Sequence, residues 1–353
     1  MKKLLILDYL PELFTSEVSM PSSIQQAINF LETQWSSIND NKIKGILAEL
    51  AFKSFLNQQG IHFIPGGWIM SPGNKTITQV PAREKVCLLP RNAPFSWQAA
   101  STNAAAPVTP AEISAYNYFR QVGVTTYLVC PSNIVEADFA IPQPSHRAVR
   151  ASYPKSYHLD FMSISPNGQL QSNPVATVFQ AFPVRNGNSG LRCSQLNRIA
   201  ASQAPWNDSE AIARLFWFEY TRYFVQIDYL VSNIDGIHFI IVPSGSCIPV
   251  ELKSKTVAND TLLGDWFGID MGPFAKLAFF TANSMNTDAL YVVQEVDSDR
   301  NHVEWYGIRF TELVKSCSWV WQAGGKGMMG GASSTYKIPK AAFTQLAELF
   351  PTL

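Results

Sequence analysis

Two apolar runs separated by a four-residue breaker constrain this chain more than any other feature. Residues 234–242 and 247–255 flank Pro243-Ser244-Gly245-Ser246. Pro, Ser and Gly in succession supply the backbone angles that a tight turn needs, so the two runs read as paired strands of a hairpin. Upstream, Asp208 or Ser209 is placed to cap a helix carrying Ile212, Leu215, Phe216, Glu219 and Tyr220, because a short polar side chain accepts from an unpaired amide of the first turn. Downstream, residues 273–280 read as a helix, and residues 289–296 and 302–310 as strands. A helix, hairpin, helix and strand order buries its apolar surface as a mixed β-sheet flanked by helices. The expected fold class is α/β.

The rest of the chain is arranged around this segment. Ser22 or Ser23 is placed to cap a helix over residues 24–31. A second helix runs from Asn39 or Asp40 to Gln59, with Ile43, Ile46, Leu47, Leu50 and Leu56 at helical spacing and Gly60 as its stop. From Pro65 to Gln121 the chain is rich in Pro, Ala, Ser, Thr and Asn and reads as irregular. Short strands are expected at residues 125–130 and near 175–183. A glycine-rich loop at 324–331 precedes a last strand and a terminal helix. These patterns divide the chain into a mainly helical N-terminal region with a Pro/Ala-rich irregular segment (1–130), an irregular region with short strands (131–206), and a regular C-terminal region with its tail (207–353).

Composition excludes several classes. Hydrophobic residues make up 46% and charged residues 15% of the 353, against about a quarter charged in an average soluble protein. A disordered chain needs the opposite balance, and a Glu/Lys-rich coiled coil is excluded as well. With 27 basic and 27 acidic residues the whole molecule has no bulk attraction for nucleic acid or anionic membrane, although a local basic patch suffices for either. The cysteines Cys87, Cys130, Cys193, Cys247 and Cys317 are odd in number and widely spaced, which argues against a CxxC-type zinc site and for free thiols in a reducing compartment. The apolar start Leu4-Leu5-Ile6-Leu7 is broken by Asp8, so it reads as a first strand or helix rather than a signal peptide. No stretch of about 18 apolar residues is present to span a membrane, and a cytoplasmic location is expected.

The chemistry concentrates on the hairpin. In its second strand Ile248, Val250 and Leu252 alternate with Pro249, Glu251 and Lys253, so Glu251 and Lys253 share a face. The turn returns Asp235 toward the far end of that strand. Two carboxylates and a lysine at one sheet edge suit phosphodiester hydrolysis, in which phosphate charge repels the attacking hydroxide. A divalent metal held by carboxylates neutralises that charge and lowers the pKa of bound water. Mg²⁺ prefers such oxygen ligands and retains waters, and an adjacent lysine steadies the charge that develops.

Asp235, followed by Glu251-Leu252-Lys253 on the next strand, resembles the PD-(D/E)xK nuclease motif found in many type II restriction endonucleases. The resemblance covers about residues 208–310, with Ile234 where the motif has its often-absent proline. It implies a restriction-endonuclease-like core with a helical N-terminal region, and it makes residues 207–353 the catalytic core. Asp235 and Glu251 would bind Mg²⁺, and Lys253 would assist the attacking water. An acidic residue on a preceding helix, Glu219 first and Glu49 second, would complete the site. The implied activity is sequence-specific cleavage of double-stranded DNA by a homodimer. Lys255, together with Arg185, Asn188 and Arg192 of a polar Gly-rich loop and Lys326 of the 324–331 loop, are candidate DNA contacts, since Arg and Asn read base edges bidentately.

Plainer readings stand beside these. A Glu-x-Lys pair is most often a solvated face, and Asp235-Gly236 also fits an ordinary turn. Asp228 is an alternative to Asp235. Glu136, Asp138 and Asp160 offer a second acidic group, more simply read as surface carboxylates. His158 and His238 suit general-base work, although a lone histidine is more often a structural hydrogen-bonder. A nuclease of the same core without sequence specificity, and a DNA-binding protein that has lost catalysis, are the two alternative functions.

Overall fold

Helix α1 (Asp40–Gln58) ends where Gly60 takes a φ of +68°, a left-handed conformation that costs glycine little and reverses the chain into the first strand. The computed structural model describes residues 40–73, 84–91, 95–96, 101–102, 107–131, 159–184, 229, 231–242, 245–283, 288–319 and 334–353. The expected helices at 24–31 and 208–220 and the loops at 186–190 and 324–331 lie outside the described residues.

Among the described residues, ten strands form one mixed sheet. In chain order they are β1 (His62–Pro72), β2 (Val86–Pro90), β5 (Thr125–Pro131), β6 (Leu159–Ile164), β7 (Leu170–Asn173), β8 (Val231–Ile241), β9 (Cys247–Lys255), β12 (Leu290–Val296), β13 (His302–Arg309) and β15 (Thr344–Gln345). Their spatial order is β15-β13-β12-β9-β8-β1-β2-β5-β6-β7. β9 runs antiparallel to β8 and parallel to β12. Helix α4 (Met271–Asn283) lies on the crossover between β9 and β12, as a parallel connection requires. Helix α2 (Pro110–Gln121) likewise joins the parallel pair β2 and β5. Two small sheets stand apart from the large one: β3 (Phe95–Ser96) with β4 (Ser101–Thr102), and β10 (Ala258–Asp260), β11 (Gly264–Asp270) and β14 (Thr335–Pro339). The short helices are α3 (Val175–Val178), α5 (Phe310–Ser316) and α6 (Leu346–Leu349).

Helices cover both faces of the sheet, which explains why its central strands are apolar on both sides. On one face α1 and α6 enclose Phe52, Leu56, Ile240, Ile248, Val250, Leu290, Val292 and Trp305. On the other, α2, α4 and α5 pack over Phe239, Tyr291, Val293 and Ile308 with Phe119, Leu277, Phe280 and Leu313. Phe119 meets Phe239 edge-on at 5.0 Å between ring centres, a favoured aromatic geometry. The start of α2 is pinned by a reciprocal cap: the Glu112 amide donates to Thr109 Oγ1 and the Thr109 amide donates to the Glu112 carboxylate. Buried Arg91 completes it, donating from Nε to Glu112 Oε1 at 2.8 Å.

The mixed α/β sheet expected from the sequence is present, and its C-terminal elements fall where the apolar pattern puts them. The irregular reading of 65–121 is corrected. That stretch holds most of β1, all of β2 and helix α2, and strands from 62–173 share one sheet with those from 231–309. Pro65-Gly66-Gly67 reads as a breaker, but the β1–β8 ladder shifts register between Ile64 and Gly67. A bulge accepts a proline without losing a ladder bond. Gly67 is needed there, because a Cβ would sit 2.8 Å from Leu89 Cδ2 and 3.0 Å from the Leu88 carbonyl. Residues 175–178 form a helical turn rather than the expected strand, since Pro174 starts a turn in which the Val178 amide reaches back to the Pro174 carbonyl.

Phe52 anchors α1 to the sheet: it is fully buried, edge-on to Phe63 at 5.5 Å and 5.3 Å from Trp305. Phe52→Ala is expected to cost about 3–5 kcal/mol through lost burial and the cavity left behind, measured by urea denaturation.

Candidate active site

β9 passes from the core to the surface along its own length. Cys247 to Glu251 are buried and the last four residues are half-buried. Pro249 is tolerated in this central strand because the ladder to β12 begins one residue later, at Val250 opposite Leu290. Glu251 is therefore the last deeply buried residue before the strand emerges, at 5% exposure. That burial removes the solvated-face reading for Glu251.

An isolated carboxylate in such a place is costly, and this one is doubly compensated. Lys253, two residues on along the same face, places Nζ 2.7 Å from Glu251 Oε1. Lys276 of α4 places its Nζ in contact with Oε2. The lysines differ in setting: the Lys253 side chain keeps 37% of its exposure, whereas that of Lys276 keeps 5%. Burial alone would raise the Glu251 pKa. The ammonium of Lys276, then that of Lys253, and the hydrogen bonds from both oppose it and hold the carboxyl at about 2. Glu251 is thus an anion at any physiological pH.

Neighbouring groups extend the polar cluster. Tyr291, in register with Glu251 on β12, is fully buried and donates its hydroxyl to the Gly268 carbonyl at 2.7 Å. Burial, with Glu251 and then Asp270 adding, pushes that hydroxyl's pKa well up, so it stays protonated. Lys255 is half-buried. Burial lowers its pKa, and Asp270 is the largest influence opposing that. Asp270 accepts from Thr335 Oγ1 at 2.7 Å.

Asp235 lies on β8, in register with Ile69 of β1, on the strand adjacent to Glu251. Its side chain is outside the described residues, as are Glu219, Asp228, Arg185, Asn188, Arg192, Lys326, Glu136, Asp138 and His158. Among the described residues no group of three or more His, Cys, Asp or Glu side chains converges on one point.

Glu49 does not join Glu251. Its carboxylate Oε1 is 3.3 Å from His238 Nε2, and His238 is in register with Val250 and stacked on Phe63. Val250 and Phe63 face α1, whereas Glu251 faces α4. Glu49 and Glu251 therefore belong to opposite faces of the sheet. The physical reason is the alternation along β9: α1 packs over the even-numbered positions. Asp160 sits on β6, five strands from β9, about 24 Å away at the spacing of sheet strands.

Lys276 is the participant that sequence reasoning missed. Its signal was a single cation inside Phe274-Ala275-Lys276-Leu277-Ala278-Phe279-Phe280, where a buried helix face admits a charge only beside a counter-charge. No helix among the described residues is long and apolar enough to cross a membrane. Comparison with known protein families, curated proteins and solved structures finds no match to this chain.

The lowered pKa of Glu251 makes a pH prediction. Its contribution to stability is full above the ordinary value of 4.5 and is lost as pH falls toward about 2, because the unfolded chain binds the proton first. The stability advantage of the wild type over Glu251→Gln should shrink across that window and stay constant above it, read from urea denaturation at a series of pH values.

Proposed function

We propose that this protein is a Mg²⁺-dependent endonuclease that cleaves double-stranded DNA at specific sequences, as type II restriction endonucleases do. The observation that carries the reading is Glu251 with Lys253 on one face of β9, ionised at the point where the strand leaves the core. The setting supports it. Asp235 is on the antiparallel neighbour β8, and β9 is followed by α4 and by the parallel strand β12. This is the strand and helix arrangement that the motif resemblance implies, and it supports a restriction-endonuclease-like core.

The donor chemistry fits Mg²⁺, which takes hard carboxylate oxygens and keeps several waters. Glu251 is anionic without any metal, and Asp235 is the second oxygen donor on the adjacent strand. When bound, the cation would supply charge neutralisation at the phosphate and a water of lowered pKa. The protein's own part is positioning. Glu251 offers a fixed anionic oxygen, and Lys253, half in solvent, directs an ammonium toward the incoming phosphodiester and the water that attacks it. Lys255, two residues further toward solvent, continues the cationic edge along the strand. Arg185, Asn188, Arg192 and Lys326 remain candidate DNA contacts, Glu219 remains the candidate third acid, and a two-fold homodimer is the simplest way to cut both strands of a palindrome.

One observation favours a second reading. Both oxygens of Glu251 are already engaged by lysines, an arrangement that would also serve a DNA-binding protein whose ion triad is purely structural. The two readings part in a single experiment. Purified protein is incubated with unmethylated duplex DNA in Mg²⁺ and in EDTA, and the fragment ends are sequenced. The nuclease reading expects discrete fragments in Mg²⁺ alone with one shared end sequence, and loss of about 100-fold or more in rate for Glu251→Ala and for Lys253→Ala. A smear would point to a nuclease without sequence specificity. DNA that is bound in EDTA and intact in Mg²⁺ would favour the binding protein, and normal cutting by both variants would refute the site.

A further inference from the structure

Glu251 carries one more cation than the motif accounts for. Lys253 engages Oε1 from the same strand, and Lys276 engages Oε2 from α4. Lys276 does not reach Glu251 by accident of a flexible surface chain. It is 4% exposed, on a helix whose neighbouring residues Leu277 and Phe280 are core, so its stem is packed. The two ammonium groups occupy both oxygens of the carboxylate in a poorly solvated place, where like charges repel a further cation. A divalent cation taking up Glu251 meets both obstacles, an occupied oxygen and a repelling charge.

Resting on the proposed metal-dependent reading, we propose that Lys276 is a positioning residue that holds the place of the metal. In the metal-free protein its ammonium occupies Glu251 Oε2 and keeps the carboxylate ionised and oriented. Cation binding requires that ammonium to leave the oxygen, so Lys276 and the cation are negatively coupled through Glu251. The coupling confers selectivity by state. The cation is held weakly until a phosphodiester enters, whose negative charge offers the released ammonium a new partner.

The test measures binding rather than cleavage. Mn²⁺ binding to the full chain without DNA is read from the electron paramagnetic resonance signal of the free ion, for wild type, Lys276→Gln, Lys276→Arg and Glu251→Gln. The expected result is that Lys276→Gln binds Mn²⁺ about tenfold more tightly than wild type, because the competitor and its repulsion are both removed. Lys276→Arg, which keeps the charge, should bind no more tightly than wild type. Lys276→Met keeps the buried stem and drops only the ammonium, and it carries the same expectation should Lys276→Gln fail to fold. A merely structural lysine would leave the affinity unchanged or weaken it when removed. Either of those results, undetectable binding by the neutral variants, or equal tightening by Lys276→Arg, overturns the proposal. Glu251→Gln separates the two levels. If it binds Mn²⁺ as well as wild type, the metal-site reading itself fails. If it loses Mn²⁺ while the neutral Lys276 variants match wild type, only the place-holding role fails.

Discussion

A carboxylate at the rim of an apolar core stays ionised only if counter-charges come with it, and much of the arrangement around β9 follows from that requirement. Desolvation pushes Glu251 toward its neutral form, and it is the largest single influence on that group. The carboxyl nonetheless sits at about 2, so the combined attraction of two ammonium groups outweighs the burial. One of them is available from the strand itself, because residues two apart share a face. The other has to come from whatever covers that face, which is α4. The position of Lys276 on the helix, the crossover that places the helix there, and the ionisation of Glu251 are thus one linked arrangement.

The three-layer build decides which polar groups can cooperate. Val250 and Glu251 are adjacent in sequence, yet Val250 belongs to the core under α1 and Glu251 to the side under α4. Each face therefore holds its own polar contact: His238 with Glu49 on one side, and Glu251 with its lysines on the other. The apolar layers that separate them are well packed, with Phe52 against Phe63 and Trp305 on the α1 side and Phe119 against Phe239 and Phe280 on the α4 side. Interiors of that density resist the rearrangement needed to bring the two pairs together. Tyr291 shows the same economy. It lies beside Glu251 in the sheet, yet its hydroxyl is spent on the Gly268 carbonyl, which keeps a buried donor satisfied and ties β12 to β11.

What was legible in the sequence divides along physical lines. Strand β9 is readable because apolar residues alternate with Pro249, Glu251 and Lys253, helix α1 because its apolar residues fall at helical spacing, and β12 because it contains a short continuous apolar run bounded by polar residues. The pairing of Glu251 with Lys253 follows from the alternation along β9 alone. Strand β1 was hidden because Pro65-Gly66-Gly67 looks like a terminator, and only the tertiary partner β8 makes the bulge that accommodates it. Residues 175–178 failed for the converse reason, since Val175, Val178 and Phe179 suit a strand by composition while a local turn after Pro174 takes precedence. Glu49 was misplaced because helical spacing says which residues share a helix face but not which side of a distant sheet that face covers. Lys276 was missed although its sequence context was informative. A lone lysine in an apolar helical run implies a buried partner, but the partner's identity depends on the β9–β12 crossover.

The charge pattern at the emerging end of β9 bears on how a neutral protein would attract a polyanion. With 27 residues of each sign, the molecule as a whole has no long-range pull on DNA, and surface charges more than about 10 Å apart are screened in physiological salt. Attraction must then be local, and it is most effective where solvent is partly excluded. Lys253, Lys255 and Lys276 lie around Glu251 and Asp270 in such a place, with Lys253 more open to solvent than Lys276. For the proposed nuclease this makes substrate and cation partners rather than competitors. The phosphate would attract the ammonium that otherwise holds Glu251 Oε2 against a divalent ion, and the ion would neutralise the phosphate charge that otherwise repels the attacking water. On the proposed reading such a site would assemble fully only with DNA in it, which would suit an enzyme whose selectivity depends on staying inactive until the right duplex has been bound.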